Sequence, residues 1–171
     1  IIAWHGETEY FDYMSNVYND NLNLTIRYGD KELLDRIIAE LLPELVGNDA
    51  MPRAIFTTRS IYYAQREEFE KYHIEVNTFL NNHLSREAQI PFILSTSYEI
   101  LENYPLDNNL RFLDQILNRG LENDRENFEI TSLLGYIKGL QENFKMATEL
   151  LDSAEKLATN DEEKDMVNSL R

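Results

Sequence analysis

Residues 135–158 read GYIKGLQENFKMATELLDSAEKLA and combine large and small apolar residues at helical spacing. Intervals of three, four and three residues separate Phe144, Ala147, Leu151 and Ala154. This spacing places all four side chains on one face of a helix. Helices approach closely only where side chains are small and large neighbours fill the space beside them. The stretch therefore predicts a turn followed by a helix that packs tightly against another helix.

Helix signals recur along the rest of the chain, whereas strand signals are poor. Gly29 suits the end of one helix and Asp30 the cap of the next. Pro52 suits a first helical turn, and Asp107 and Asn160 are further caps. With 171 residues, 43% hydrophobic content and no break in composition, the sequence predicts a single all-α domain over residues 1–171.

A period appears when one large apolar residue is aligned in each successive helical pair. The aligned residues are Leu34, Phe69, Leu110 and Phe144, at intervals of 35, 41 and 34 residues. Three, seven and ten positions after them, ten of the twelve residues are apolar, and the exceptions are Glu44 and Gly120. This period predicts about four antiparallel helical hairpins. Their expected ranges are about 8–46, 52–84, 86–122 and 125–159, followed by a capping helix over 161–170.

The fourth hairpin resembles a tetratricopeptide repeat over residues 127–159. The matching residues are the Leu134–Gly135 pair, Phe144 at the start of the second helix, and the small, large, small series Ala147, Leu151 and Ala154. Elsewhere the resemblance is limited to the period, and a general α-solenoid or an irregular helical bundle is the alternative. The resemblance implies a short stacked array that binds an extended peptide or a partner helix in a groove lined by the first helices.

The register of this resemblance assigns residues to the partner groove. The predicted groove residues are Thr57, Ile61, Gln65, Tyr98, Ser132 and Tyr136. The predicted function is a non-catalytic protein-interaction or scaffold module whose partner is another protein or peptide.

The charge of the chain narrows the classes of partner. There are 31 acidic and 16 basic residues, which gives a formal net charge of −15. Such a chain repels phosphate backbones and anionic lipids, so we expect no nucleic-acid partner, and a basic partner suits it. No apolar run approaches the roughly 18 residues that cross a membrane, so no membrane insertion is expected.

Signals for catalysis or metal binding are weak. The three histidines, His5, His73 and His83, lack the spacing of a metal motif, and there is no cysteine. Acidic runs such as 161–165 are typical of solvated helix starts. The sequence therefore predicts no enzyme, no catalytic or metal-binding residue and no cofactor. Trp4 either anchors an interface or covers the end of the first hairpin, and we favour the covering role.

A second resemblance gives an alternative function. The stretch YYAQREEFEKYHIEVNTFL, residues 62–80, is similar to the helical tail of some bacterial thioredoxin-like proteins. The chain begins with Ile1, so we expect it to be part of a longer protein. The alternative function is therefore an accessory region of an exported redox protein whose catalytic domain lies upstream. The compartment stays open between the cytoplasm and, after removal of a signal, the periplasm or the exterior.

Overall fold

A computed structural model of the chain describes residues 7–171, and these residues are almost entirely helical, with no strand among them. The predicted all-α class is thus confirmed. The helices are α1 Glu7–Tyr28, α2 Lys31–Arg36, α3 Leu42–Leu45, α4 Met51–Gln65, α5 Phe69–Asn82, α6 Arg86–Asn103, α7 Asp107–Asn123, α8 Phe128–Leu140, α9 Phe144–Leu157 and α10 Asp161–Ser169. A π-helical segment, Ile37–Leu41, joins α2 to α3.

The chain forms two compact units that divide between His83 and Leu84. In the first unit, α4 and α5 pack against each other, and α1 contacts the segment from α2 to α4. In the second unit, α6 packs on α7, α7 on α8, and α8 on α9. The single repeat domain and its stack of four hairpins stay predictions.

Local capping explains several of the helix boundaries. Gly29 has a φ of 69°, a left-handed conformation that suits glycine, and it separates α1 from α2. The carboxylate of Asp30 then accepts a hydrogen bond of 3.0 Å from the Leu33 N–H, as predicted. Asn160 caps α10 in the same way. The sequence predicted Asp107 as the cap of α7, but Asp107 is the first residue of this helix. There its carboxylate is stabilised by the positive end of the helix dipole.

The core of the first unit is built around Tyr62 of α4. Its side chain is fully buried and packs with Leu22 of α1, Leu34 of α2 and Ile37 of the π-helical segment. This one buried cluster therefore takes side chains from α1, α2, the π-helical segment and α4. Burial of the ring raises the pKa of the Tyr62 phenol.

An ionic cluster around Glu68 ties the α4–α5 turn to the rest of the first unit. The Glu68 carboxylate accepts hydrogen bonds from Lys71 Nζ and, at 3.3 Å, from Arg66 Nε. It also lies 3.9 Å from Lys31 Nζ. Arg66 also donates to the Ile26 carbonyl at 2.8 Å. The hydrogen bond from Lys71 is the main cause that holds the pKa of Glu68 below its ordinary value.

Replacing Glu68 with glutamine is expected to lower stability at neutral pH, and this difference should shrink in acid. Because the folded-state pKa is lowered, the stabilisation is present above the unfolded-state pKa and is lost as pH falls through the folded-state pKa. Urea unfolding of both chains between neutral pH and pH ~3 measures the difference. Glu70→Gln, an exposed site with the same change in charge, is the control. A difference that does not change with pH would show that the carboxylate contributes no ionic stabilisation.

The second unit brings α8 and α9 very close together. A Cβ atom built on Gly135 would lie 2.8 Å from Cγ of Leu151, so only glycine fits there without a shift. Leu151 is buried with Ala154 and with Val167 of α10. The small, large, small series of α9 is therefore buried, whereas Phe144, the first residue of this helix, is 68% exposed.

Candidate interaction site

Three of the predicted groove residues lie on α4 in the first unit. Thr57 and Gln65 are exposed, and Ile61 is half-buried against the Tyr62 core. Thr57 lines an apolar cleft between α1, α3 and α4 of about 460 Å³, which we call the α1–α4 cleft. Its walls include Phe11, which is 51% exposed.

The other three predicted groove residues lie on α6 and α8 in the second unit. Tyr98 is partly exposed, and its hydroxyl donates to Glu129 Oε1 at 2.8 Å. Burial, and then this hydrogen bond, raise the pKa of Tyr98. Ser132 is fully buried, and its hydroxyl donates to the Phe128 carbonyl at 2.8 Å, so it does not present its side chain to an open groove. Tyr136, one turn further along α8, is half-buried and reaches a cleft.

The cleft at Tyr136, which we call the α8–α9 cleft, has a volume of about 380 Å³. Its walls include Tyr136 and Leu140 from α8, Phe144 and Thr148 from α9, and Leu170. Leu140 is 43% exposed. The cleft thus presents two large apolar side chains to solvent, on either side of the turn that joins the helices.

Backbone hydrogen bonds define the turn between Leu140 and Phe144. Glu142 has a φ of 60°, its N–H donates to the Gly139 carbonyl at 2.9 Å, and the Asn143 N–H donates to the Lys138 carbonyl at 2.9 Å. A left-handed residue, with N–H groups after the helix that donate to carbonyls of its last turn, is typical of a helix C-terminus. Asn143 then accepts from the Met146 N–H and caps α9. The end of one helix and the start of the next are therefore both fixed locally.

The turn between α4 and α5 in the first unit repeats this geometry. Glu67 has a φ of 58°, its N–H donates to the Ala64 carbonyl, and the Glu68 N–H donates to the Tyr63 carbonyl. The next helix again begins with a phenylalanine, Phe69. The two phenylalanines differ in burial, because Phe69 is 6% exposed and Phe144 is 68% exposed.

A charged cleft of about 550 Å³ adjoins the α8–α9 cleft, and Leu140 lines both. The charged cleft is lined by Asp107, Arg111, Asp114, Gln141 and Glu142 in addition to Leu140. Asp114 accepts from Lys138 Nζ at 2.6 Å, and Arg111 Nε donates to the backbone carbonyl of Asp107 at 3.3 Å. Together these residues define the charged cleft.

Groups suited to metal binding do not converge in the part of the chain that the structure describes, where no cluster of three or more His, Asp or Glu side chains could hold an ion. His73 is half-buried, with its ring 6.2 Å from that of Tyr72, and the ring of the exposed His83 lies 5.6 Å from that of Phe79. Trp4 and His5 lie outside the described residues. Among the described helices, none is long and apolar enough to cross a membrane.

Sequence reasoning missed most of the residues that line the clefts. Leu140 and Phe144 stand in the quoted stretch, but spacing alone marks Phe144 as a packing residue. Asp107 and Glu142 are distant in sequence, and no motif joins them. A signal for Leu140 was present, because it is a large apolar residue at the last position before a turn.

No protein-family model matches this chain, and comparisons with curated proteins and with solved structures also find no match. The class of protein is therefore defined by the fold alone as all-α. The resemblance to tetratricopeptide repeats stays a prediction.

Proposed function

We propose that this chain is a non-catalytic protein-interaction module that binds a segment of a partner protein in the α8–α9 cleft. The observation that carries the proposal is the exposure of Phe144 beside Leu140 at the mouth of an open cleft. Adjacent exposed large apolar side chains, rimmed by polar residues, are typical of protein-interaction surfaces.

The α4–α5 turn supports this interpretation. It has the same pattern of backbone hydrogen bonds as the α8–α9 turn, and Phe69, the phenylalanine after it, is buried. Phe144 occupies the corresponding position and lacks that cover. A partner side chain seated against Phe144 would supply the apolar contacts that Phe69 already has, and burial of such a ring contributes roughly 2–3 kcal/mol.

The repeated turn also supports the finer architecture that the sequence predicts. Two connections of identical hydrogen-bond pattern, each followed by a phenylalanine, favour hairpins of one kind at α4–α5 and at α8–α9. In this proposal the array is tetratricopeptide-like, and Tyr136 contributes to the partner site. Thr57 lines the separate α1–α4 cleft, and Ser132 supports α8 from inside.

Selection of peptides from a randomised display library against the whole chain tests the proposal. We expect peptides to be enriched, and we expect their affinity, measured by fluorescence anisotropy, to fall at least about tenfold for the double variant Leu140→Ser, Phe144→Ser. The fold should be retained, because both side chains are exposed and surface substitutions usually change stability by only about 0.5 kcal/mol.

The matched control is Leu24→Ser, Ile74→Ser, which removes two exposed apolar side chains from the first unit. We expect this variant to bind the selected peptides as the wild type does. Peptides that bind the Leu140, Phe144 double variant with unchanged affinity would show that the α8–α9 cleft is not the site.

A further inference from the structure

We infer that the partner segment of the proposed interaction carries a basic side chain, lysine or arginine, next to its apolar anchor, and that Asp107 and Glu142 recognise it. The inference rests on the proposed function, and it names the chemistry of the partner. The side chain of Leu140 lines both the α8–α9 cleft and the charged cleft.

The carboxylates of the charged cleft differ in how far they are already neutralised. Asp114 is paired with Lys138 at 2.6 Å and also accepts from Asn118 at 3.0 Å. Within the described residues, the carboxylates of Asp107 and Glu142 have no hydrogen-bond or ion-pair partner. Two carboxylates thus remain for a ligand, against the single guanidinium of Arg111.

The backbone around these two carboxylates is ordered by local bonds. Asp107 begins α7, and Glu142 is the left-handed residue of the α8–α9 turn. A cationic group that enters the charged cleft therefore meets acceptors on two secondary-structure elements that are already fixed in place. Because this backbone is ordered before binding, less conformational entropy is lost when the two carboxylates meet a ligand.

Because Leu140 lines both clefts, it links the apolar contact of the partner to the ionic contact. An apolar side chain that packs on Leu140 and Phe144 occupies one side of Leu140, and a basic side chain in the charged cleft occupies its other side. The two side chains must therefore be neighbours in the partner. The net charge of −15 adds a long-range attraction for a basic segment and a repulsion for an acidic one.

Three short labelled peptides of equal length test the inference by fluorescence anisotropy with the whole chain. One alternates leucine with lysine, one alternates leucine with glutamate, and one alternates serine with lysine. At an ionic strength of about 0.15 M, where exposed charges act only over roughly 8 Å, we expect the leucine–lysine peptide to bind at least about tenfold more tightly than each of the others.

The variant Asp107→Asn, Glu142→Gln should weaken binding of the leucine–lysine peptide by about fivefold, since exposed ion pairs contribute little individually. The control Glu102→Gln, Glu122→Gln makes the same change in net charge at exposed sites outside both clefts and should leave affinity within about twofold. Circular dichroism of each variant confirms that the fold is retained.

The outcomes separate this inference from the proposed function. Equal binding of the leucine–lysine and leucine–glutamate peptides would overturn the inference of a basic partner. So would an equal loss of affinity in the Asp107, Glu142 variant and in its Glu102, Glu122 control. If Leu140→Ser, Phe144→Ser leaves leucine–lysine binding unchanged, the proposed site itself is wrong. A wild-type chain that sediments as a dimer, and becomes a monomer in that double variant, would assign the cleft to a second copy and overturn the inference.

Discussion

Replacing Tyr62 with alanine is expected to lower the free energy of unfolding of the first unit by about 3–5 kcal/mol, the range for a buried aromatic ring. The ring is fully buried and packs with Leu22, Leu34 and Ile37, which belong to α1, α2 and the π-helical segment. Its removal leaves a cavity in a buried cluster to which all three elements contribute. The backbone amides of the three elements should lose protection from hydrogen exchange together, because the elements share this buried cluster.

Hydrogen exchange measured by mass spectrometry checks this result at the level of the elements. We expect faster exchange in α1, α2 and the π-helical segment of Tyr62→Ala, with a lower midpoint of urea unfolding. Tyr62→Phe is the matched control, because it keeps the ring, and it should stay within about 1 kcal/mol of the wild type. Unchanged exchange in α1 and α2 of the alanine variant would contradict the assigned core.

Replacing Leu151 with alanine is expected to cost about 2–5 kcal/mol through the cavity that it leaves. Leu151 is buried with Ala154 and Val167, so one side chain joins α9 to α10. It also covers Gly135 on α8, where its Cγ and Cδ2 lie 2.8 Å from the position of an added Cβ. The side chain therefore holds three helices of the second unit.

A double-mutant cycle isolates the contact between Gly135 and Leu151. Gly135→Ala should destabilise the wild type by about 1–3 kcal/mol, the usual cost of overpacking, and should cost less in the Leu151→Ala background. Gly139→Ala on the same helix is the control, because an added Cβ there has no neighbour within 4 Å among the described residues. That control should gain up to about 1 kcal/mol from helix propensity. Equal urea midpoints for Gly135→Ala and Gly139→Ala would mean that α8 and α9 do not approach closely at Gly135.

The helices and their close contacts could be predicted because their causes are local. Asp30 caps α2 through a hydrogen bond to a residue three positions away, and Gly29 supplies the left-handed backbone before it. The spacing of Ala147, Leu151 and Ala154 likewise identified the buried face of α9. Capping and helical periodicity both act within a few residues, so they can be read from a single sequence.

The candidate site was harder to predict because burial depends on neighbours that are remote in sequence. Phe69 and Phe144 follow turns of the same geometry, yet one is buried and the other exposed. Ser132 was expected in a groove, but a serine in a helix can satisfy its hydroxyl with a carbonyl four residues earlier and so lie inside. Asp107 and Glu142 line one cleft only after α7 and α8 pack together.

The most direct test of the proposed binding site is an amide chemical-shift map of the whole labelled chain, titrated with a peptide from the display selection. We expect the largest shift changes around the α8–α9 cleft, at Tyr136, Leu140, Phe144 and Thr148, with saturation at the affinity found by anisotropy. Shift changes centred on Phe11 and Thr57 in the α1–α4 cleft, with the α8–α9 turn unaffected, would contradict the proposed site.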